Sequence, residues 1–422
     1  MSSHLLELAT ARRNGTPLGI TSVCSAHPTV IRAALRRAST TRQYVLIEAT
    51  CNQVNHLGGY TGMTPADFVN LVNTIAVEEK LEPGLIIFGG DHLGPNPWRK
   101  EKPETALVKA RDMVKAYVTA GFSKIHLDTS MGCAGEPAAL DDRTIANRAA
   151  DLCKVAEAAS KAAGLPPPVY VLGTEVPVPG GADHVLDSVE PTSPDAAKAT
   201  IAIHRDIFAA AGLEAAFDRV IAFVVQPGVE FGSQNVVQYD RSKARALSLV
   251  LNDHPGLVFE AHSTDYQTQQ ALSDLVSDGF PILKVGPGLT FAYREALYAL
   301  DMIASELIPS YGTRPLAAAM ERLMLDHPTD WQGHYHGDTE SLRLQRHYSY
   351  SDRIRYYWNR PEATSAVQAL LSALDGQVIP EPLLHQFFAT RVKAGSTAEE
   401  ILLASVDDVL AIYDRAVHQQ QS

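Results

Sequence analysis

GLVFEAHSTDYQTQQALSDLVSDGFPILKVGPGLTFAYREALYALDMIASELI, residues 256–308, holds the unit on which the fold turns. Two apolar runs in it, GLVFEAH (256–262) and PILKVG (281–286), have the length of strands and are separated by enough chain for a helix. A helical pattern over 289–308 follows the second run. Toward the N-terminus the same kind of run recurs as LGITSVC (18–24), YVLIEAT (44–50), LIIFGG (85–90), KIHLD (124–128), VYVLGTE (169–175) and VIAFVVQ (220–226). Eight β-then-α units predict a closed (β/α)8 TIM barrel, whose active site lies at the carboxyl ends of the strands. The places where the runs stop therefore predict the site.

At 422 residues the chain exceeds the roughly 250 of a simple barrel. The expected division is a barrel over 1–308 and a mostly helical C-terminal extension, 309–422, packed on it. A net charge of −12 argues against a nucleic-acid surface, which needs clustered Lys and Arg, but leaves room for one small phosphorylated ligand. Four cysteines without CxxC spacing are not a disulfide framework, and no apolar run reaches membrane-span length. A reducing cytoplasm is the expected location, with no membrane partner. The Gly/Pro-rich stretch 176–194 is too long for an ordinary barrel loop and reads as a lid.

Polar residues crowd the strand ends. Asp91-His92 closes the third run, a proton-transfer carboxylate beside a candidate metal ligand. Glu260 and His262, two apart on an extended strand, face one space, as metal and catalytic groups or as an ion pair. Glu175 is a third candidate ligand, and His92, Glu175 and His262 together suit a divalent cation: zinc first, with manganese, nickel or cobalt as alternatives. Asp128 is a further catalytic candidate, while His126, deeper in the same run, reads equally as a satisfied core histidine. Glu48, Asn52, Gln53 and Asn55 suit a polyhydroxylated ligand, or simply fold their loop. Gln226, Ser263 and Asp265 join them as expected substrate contacts. Lys284 with the Gly286–Gly288 turn is the expected phosphate position, and Arg353, in YSYSDRIRYYW (348–358), a second cation for it. No GxxxxGK[ST] loop, strand-linked GxGxxG or GxSxG elbow is present.

The strings GITSVCSAHP, IEATCNQVNHLGGYTGMTPADF, GGDHLGPNPW, GFSKIHLDTSMGCAGEP, GTEVPVPGGA, VVQPGVEF, LVFEAHSTDYQ, ILKVGPGLTFA and YSYSDRIRYYW resemble the tagatose-bisphosphate aldolase subunit family (GatZ/KbaZ-like) across residues 18 to 360. The resemblance implies a class II aldolase-like barrel. Members are described as non-catalytic aldolase subunits, as tagatose-6-phosphate kinases or as D-tagatose 6-phosphate 4-epimerases, and the missing nucleotide loop makes the kinase description the poorest fit. Asp91-His92 resembles the acid and zinc-binding His of class II aldolases, and His262 falls near their third His. Glu175 stands one place before their second zinc-binding His, so a carboxylate replaces an imidazole, and Lys284 to Gly288 resembles their phosphate segment. The implied activity is a metal-dependent 4-epimerase interconverting D-tagatose 6-phosphate and D-fructose 6-phosphate. The C4 hydrogen of a 2-ketose is not acidic, so inversion there is expected to proceed by retro-aldol opening and re-closure of the C3–C4 bond. The alternative is a stabilising partner subunit of a class II aldolase; a homo-oligomer is also expected.

Overall fold

The computed structural model describes residues 3–173, 189–388, 392–393 and 395–419. Eight parallel strands close into a barrel: β1 (Ile20–Cys24), β2 (Val45–Thr50), β3 (Ile86–Leu93), β4 (Lys124–Leu127), β5 (Val169–Gly173), β6 (Val220–Val224), β7 (Val258–Ala261) and β8 (Ile282–Val285). Each pairs with its neighbours in sequence, and β1 pairs with β8. All eight runs read from the sequence are strands. Their edges differ by a few residues, most at β3, which continues through Asp91 and His92 to Leu93. A two-residue antiparallel pair, Glu230–Phe231 with Val236–Val237, follows β6.

Inward-facing residues stand two apart on each strand, so the lumen is stacked in layers. The lowest layer is apolar: Ile20, Leu46, Ile87, Val169, Ala222, Val258 and Ile282 pack with Leu5 and Leu8 of the helix Ser3–Arg13, which plugs the amino-terminal end. One step up, the stack becomes ionic, with Glu48, Lys124, Glu260 and Lys284 all buried. One step further lie Asp91, His126 and His262 at the carboxyl ends. Room for Glu48 comes from its pairing neighbour Gly89, where a Cβ would collide with the Glu48 carboxylate.

The helices outside the barrel include Pro28–Thr41, Pro65–Glu78, Pro103–Thr119, Asp142–Ala163 and Pro287–Leu307. Thr64 caps the second of these and Asp67 returns the bond, closing a capping box. Beyond residue 308 the chain is helical over Pro315–Asp326, Thr339–Tyr348, Pro361–Leu374, Glu381–Phe388 and Ala398–Val417. The last helix comes back onto the barrel, where the Val417 carbonyl accepts from Gly19 N–H at 2.9 Å ahead of β1. Leu402, Val406 and Leu410 share one buried core with Val30, Leu272 and Leu297. No described helix is long and apolar enough to cross a membrane.

Candidate active site

Above the ionic layer, Asp91, His92, His126 and His262 converge, all buried, with one ligand-competent atom from each lying within 4.8 Å of the others. The rings of His92 and His262 meet edge to face at a centroid separation of 4.8 Å. His92 has φ +50, a left-handed backbone that a non-glycine residue adopts at a cost of about 1–2 kcal/mol. That turn aims the imidazole across the mouth. Asp128 Oδ2 holds its Nδ1 at 2.8 Å, while Ser130 Oγ donates to Asp128 Oδ1 at 2.7 Å, leaving His92 Nε2 toward the cluster.

His126, left undecided by the sequence between a site group and a satisfied core histidine, has both ring nitrogens bonded. Its Nε2 lies 3.1 Å from the Gly173 carbonyl, which calls for the hydrogen to be on Nε2. Nδ1 is then a lone pair, which accepts from His92 N–H at 3.2 Å and also faces Asp91 Oδ1 at 3.0 Å. Two acceptors that close repel unless a proton or a cation lies beside them. The surrounding charge points the same way. Four buried carboxylates (Glu48, Asp91, Asp128, Glu260) surround two buried ammonium groups (Lys124, Lys284), an excess of two negative charges when the imidazoles are neutral. A divalent cation on His92 and His262, beside Asp91, would balance that charge with nitrogen and oxygen donors suited to it. These residues fit a metal.

The two imidazoles on the floor differ in proton affinity. Burial lowers the His262 imidazole to about 4, keeping it neutral and able to donate a lone pair. Burial works against charge on His92 as well, but Asp91 and Asp128 outweigh it and raise its proton affinity. Burial alone would raise the Asp91 carboxyl; His92 and Lys284 instead hold it well below the usual carboxylate range. A second group of potential ligands, Cys24, Glu48 and Asp91, already has an occupant: Lys284 Nζ bonds Glu48 and stands 2.6 Å from Asp91 Oδ1.

A cavity of about 500 Å³ opens above the cluster. Asp91, His92, His262 and Lys284 form its floor, Asn52, Gln53 and Ser263 its sides, and Tyr60, Arg355, Tyr356 and Trp358 part of its outer wall. His27, also on the wall, packs against Tyr293 with ring centroids 4.3 Å apart and planes tilted by 49°. Of the residues expected from sequence to meet substrate, Asn52, Gln53, Ser263, Asp265, Lys284 and Gly286 line this cavity.

Several of the expected residues lie away from the cavity or are engaged elsewhere. Glu48 lies in the ionic layer, paired with Lys124 and Lys284, and does not reach the cavity. Glu260 is beneath the site as well, pairing with Lys124 at 2.7 Å and with His262 Nε2 at 3.0 Å, and does not line the cavity. Asp128 likewise acts on His92 from behind. Asn55 folds its own loop, accepting from Leu57 and Gly59 N–H, and Gln226 Oε1 accepts from Gly228 and Val229 N–H. Arg353 donates to the Asp330 carbonyl at 2.9 Å and is not on the cavity wall; Arg355, two residues on, is. Glu175 and most of the expected lid, 174–188, lie outside the described residues.

The expected phosphate turn is already filled. Asp265 Oδ1 accepts from Gly286 N–H at 3.0 Å and Gly288 N–H at 2.7 Å, and a Cβ on Gly288 would come within 3.1 Å of that oxygen. Burial raises the Asp265 carboxyl to about 6, with the two N–H groups acting in the other direction. A carboxyl raised in the folded state contributes stability that is present below its unfolded value and is lost as pH rises through about 6. Asparagine presents the same acceptor without the charge. Asp265→Asn is therefore expected to gain on the parent between pH 3.5 and pH 7, by about 2–3 kcal/mol in urea unfolding. A gap that stays flat with pH would contradict this account of Asp265.

The fold and site define a (β/α)8 barrel with a metal-competent cluster of carboxylate and imidazole groups below a ligand-sized cavity. Residues 5–418 match the family described as D-tagatose-1,6-bisphosphate aldolase subunit GatZ/KbaZ-like, and the chain belongs to that family. It is 70% identical over 419 residues to a D-tagatose 6-phosphate 4-epimerase of Agrobacterium fabrum (strain C58), covering 99% of each chain. A crystal structure of a probable tagatose 6-phosphate kinase from Sinorhizobium meliloti 1021 is 54% identical, with a TM-score of 0.87 over 94% of this chain and 100% of that one. The YdjI aldolase of Escherichia coli K12 is more distant, at 12% identity and a TM-score of 0.42 over 88% of this chain and 98% of that one.

Proposed function

We propose that the chain is a metal-dependent epimerase that interconverts D-tagatose 6-phosphate and D-fructose 6-phosphate by retro-aldol opening and re-closure of the C3–C4 bond. The observation that carries this reading is the convergence of Asp91, His92 and His262 on the cavity floor. The 4-epimerase activity by which the 70% identical relative is named supports it.

A divalent cation held by His92 and His262, with Asp91 beside it, would supply Lewis acidity to the ketose oxygens. Glu175, outside the described residues, remains part of the proposed ligand set from sequence. Asp128 and Glu260 fix the His92 and His262 rings. Asp91 is the one carboxylate of the inner four that reaches the cavity, and it takes and returns the C4 hydroxyl proton. Held as an anion by its cationic neighbours, it releases that proton readily when the bond re-forms. Lys284, its proton affinity raised by Asp91, Glu48 and Glu260 despite burial, stays charged and steadies Asp91 at 2.6 Å. Asn52 offers an amide to sugar hydroxyls, whereas the Gln53 amide bonds Thr50 N–H and the Cys24 carbonyl. Between opening and re-closure, the three-carbon aldehyde turns its other face to the enediolate.

The test is an assay of the purified chain, stripped of metal and reloaded in turn with Zn²⁺, Mn²⁺, Ni²⁺ and Co²⁺. Interconversion of the two ketose phosphates that disappears with chelator and returns with metal is the expected result. The family's description as an aldolase subunit favours a second reading, a stabilising subunit of a D-tagatose-1,6-bisphosphate aldolase. Inactivity with every metal, together with co-purification with an aldolase, would establish that reading instead.

A further inference from the structure

We infer that the anionic end of the ligand, a phosphomonoester, is held at the outer wall of the cavity by Arg355 with the hydroxyls of Tyr356 and Tyr60, on a site supplied largely by the chain beyond the barrel. The inference rests on the proposed reading of the substrate as a phosphorylated ketose.

Elimination comes first. The turn after β8, where barrels commonly seat phosphate, has its Gly286 and Gly288 N–H groups engaged by Asp265, and that carboxylate would repel a second anion. Lys284 is surrounded by Glu48, Asp91 and Glu260. Arg353 points to the Asp330 carbonyl. None of the expected cations is free for a phosphate.

Arg355 is. It lies on the cavity wall and, among the described residues, has no carboxylate within ion-pair distance. It is nevertheless held in place. Nη1 donates to the Ser351 carbonyl and, at 3.1 Å, to that of Asp352; Nη2 donates to Tyr356 Oη at 2.9 Å, and the guanidinium lies 4.5 Å from the centre of the Tyr356 ring. These contacts leave the Nε hydrogen and one Nη2 hydrogen of the five N–H groups, adjacent donors with the spacing that grips two phosphate oxygens. A half-buried guanidinium with free donors facing a cavity favours an anionic ligand there. Tyr356 accepts from Arg355 and so keeps its own hydroxyl hydrogen to donate. Tyr60 packs on Tyr356 at 4.9 Å, edge to face, and its backbone carbonyl is tied to Asn359 Nδ2 at 2.8 Å. The loop after β2 and the segment Arg353–Tyr357 thus build this wall together.

The test compares D-fructose 6-phosphate with D-fructose in a binding titration of metal-loaded protein, so that it does not depend on turnover. The parent is expected to prefer the phosphorylated ketose, and Arg355→Met to weaken binding of D-fructose 6-phosphate by roughly 30- to 100-fold while D-fructose changes little. Arg355 also ties down two carbonyls, so Tyr356→Phe is measured beside it; it leaves those bonds intact and is expected to cost about three- to tenfold on the phosphorylated ligand alone. Unchanged D-fructose 6-phosphate binding in both variants, or equal losses on both ligands, overturns the inference. Those outcomes leave the epimerase assay untouched. An inactive parent that still shows the Arg355-dependent preference would instead overturn the proposed reaction and keep the site.

Discussion

Asp91→Asn is expected to reduce kcat for D-tagatose 6-phosphate by about a thousandfold, with KM moving only a few-fold. The substitution keeps the shape of the side chain and one carbonyl oxygen for Lys284, 2.6 Å from Oδ1 in the parent, but removes the proton acceptor from the cavity floor. Asp128 provides the internal comparison. Its carboxylate bonds His92 Nδ1 at 2.8 Å and does not line the cavity, so Asp128→Asn works only through the orientation and basicity of that ring. Losses from such indirect partners run at about 10- to 100-fold in activity or metal affinity. Steady-state rates, read with metal content by mass spectrometry, separate the two. Asp91→Asn should retain more metal than activity; Asp128→Asn should lose the two in step. A larger fall in kcat for Asp128→Asn than for Asp91→Asn would reverse the assigned roles.

The contrast between these two aspartates also shows where the sequence could and could not be read. Strand alternation decides which residues enter the lumen, and it was enough to bring Asp91, Asp128, Glu260 and His262 to one end of the barrel. It says nothing about depth or about which group turns aside to hold another. Glu48 and Glu260 looked like ligand-facing carboxylates because their cationic partners are about 24 to 236 residues away in the chain. Lys124 was legible in principle: it stands two before His126 and four before Asp128 in KIHLD, on the same face. A lysine inside a barrel becomes plausible only once two carboxylates are known to meet it. Arg353 and Arg355 fail for a local reason. Their segment forms a 3-10 turn, Arg353–Tyr357, in which residues two apart point in quite different directions, and the 3.6-residue spacing of a helix gave no means of choosing the one that faces the cavity. The side-chain amide of Asn55 was lost to its own loop, a use that composition cannot distinguish from sugar binding.

Lys124 carries the largest expected effect on stability. It is fully buried, and its ammonium group bridges Glu48 at 2.6 Å and Glu260 at 2.7 Å, both of them fully buried as well. Removing one partner of a buried ion pair leaves the others charged without compensation, which typically costs about 3–5 kcal/mol, so Lys124→Met is expected to unfold at markedly lower urea concentration. The loss should depend on pH in a definite sense. Burial favours the neutral acids, but Lys124 and Lys284 hold the Glu48 and Glu260 carboxyls below their ordinary values. A depressed carboxyl contributes stability that is present above its unfolded pKa, near 4.3, and disappears as pH falls through the folded value. Without Lys124 that depression shrinks, and the gap between parent and Lys124→Met should narrow as pH is lowered below about 5. The raised proton affinity of Lys124 itself has its window above pH 10.5 and adds no slope near neutrality. Neutralising the partner tests the cause: Lys124→Met combined with Glu260→Gln should recover part of the loss, because one uncompensated charge goes with it. If the double variant is less stable than the single by the full cost of Glu260→Gln alone, the lysine and the glutamate are not coupled, and the ionic layer is not what supports the floor of the site.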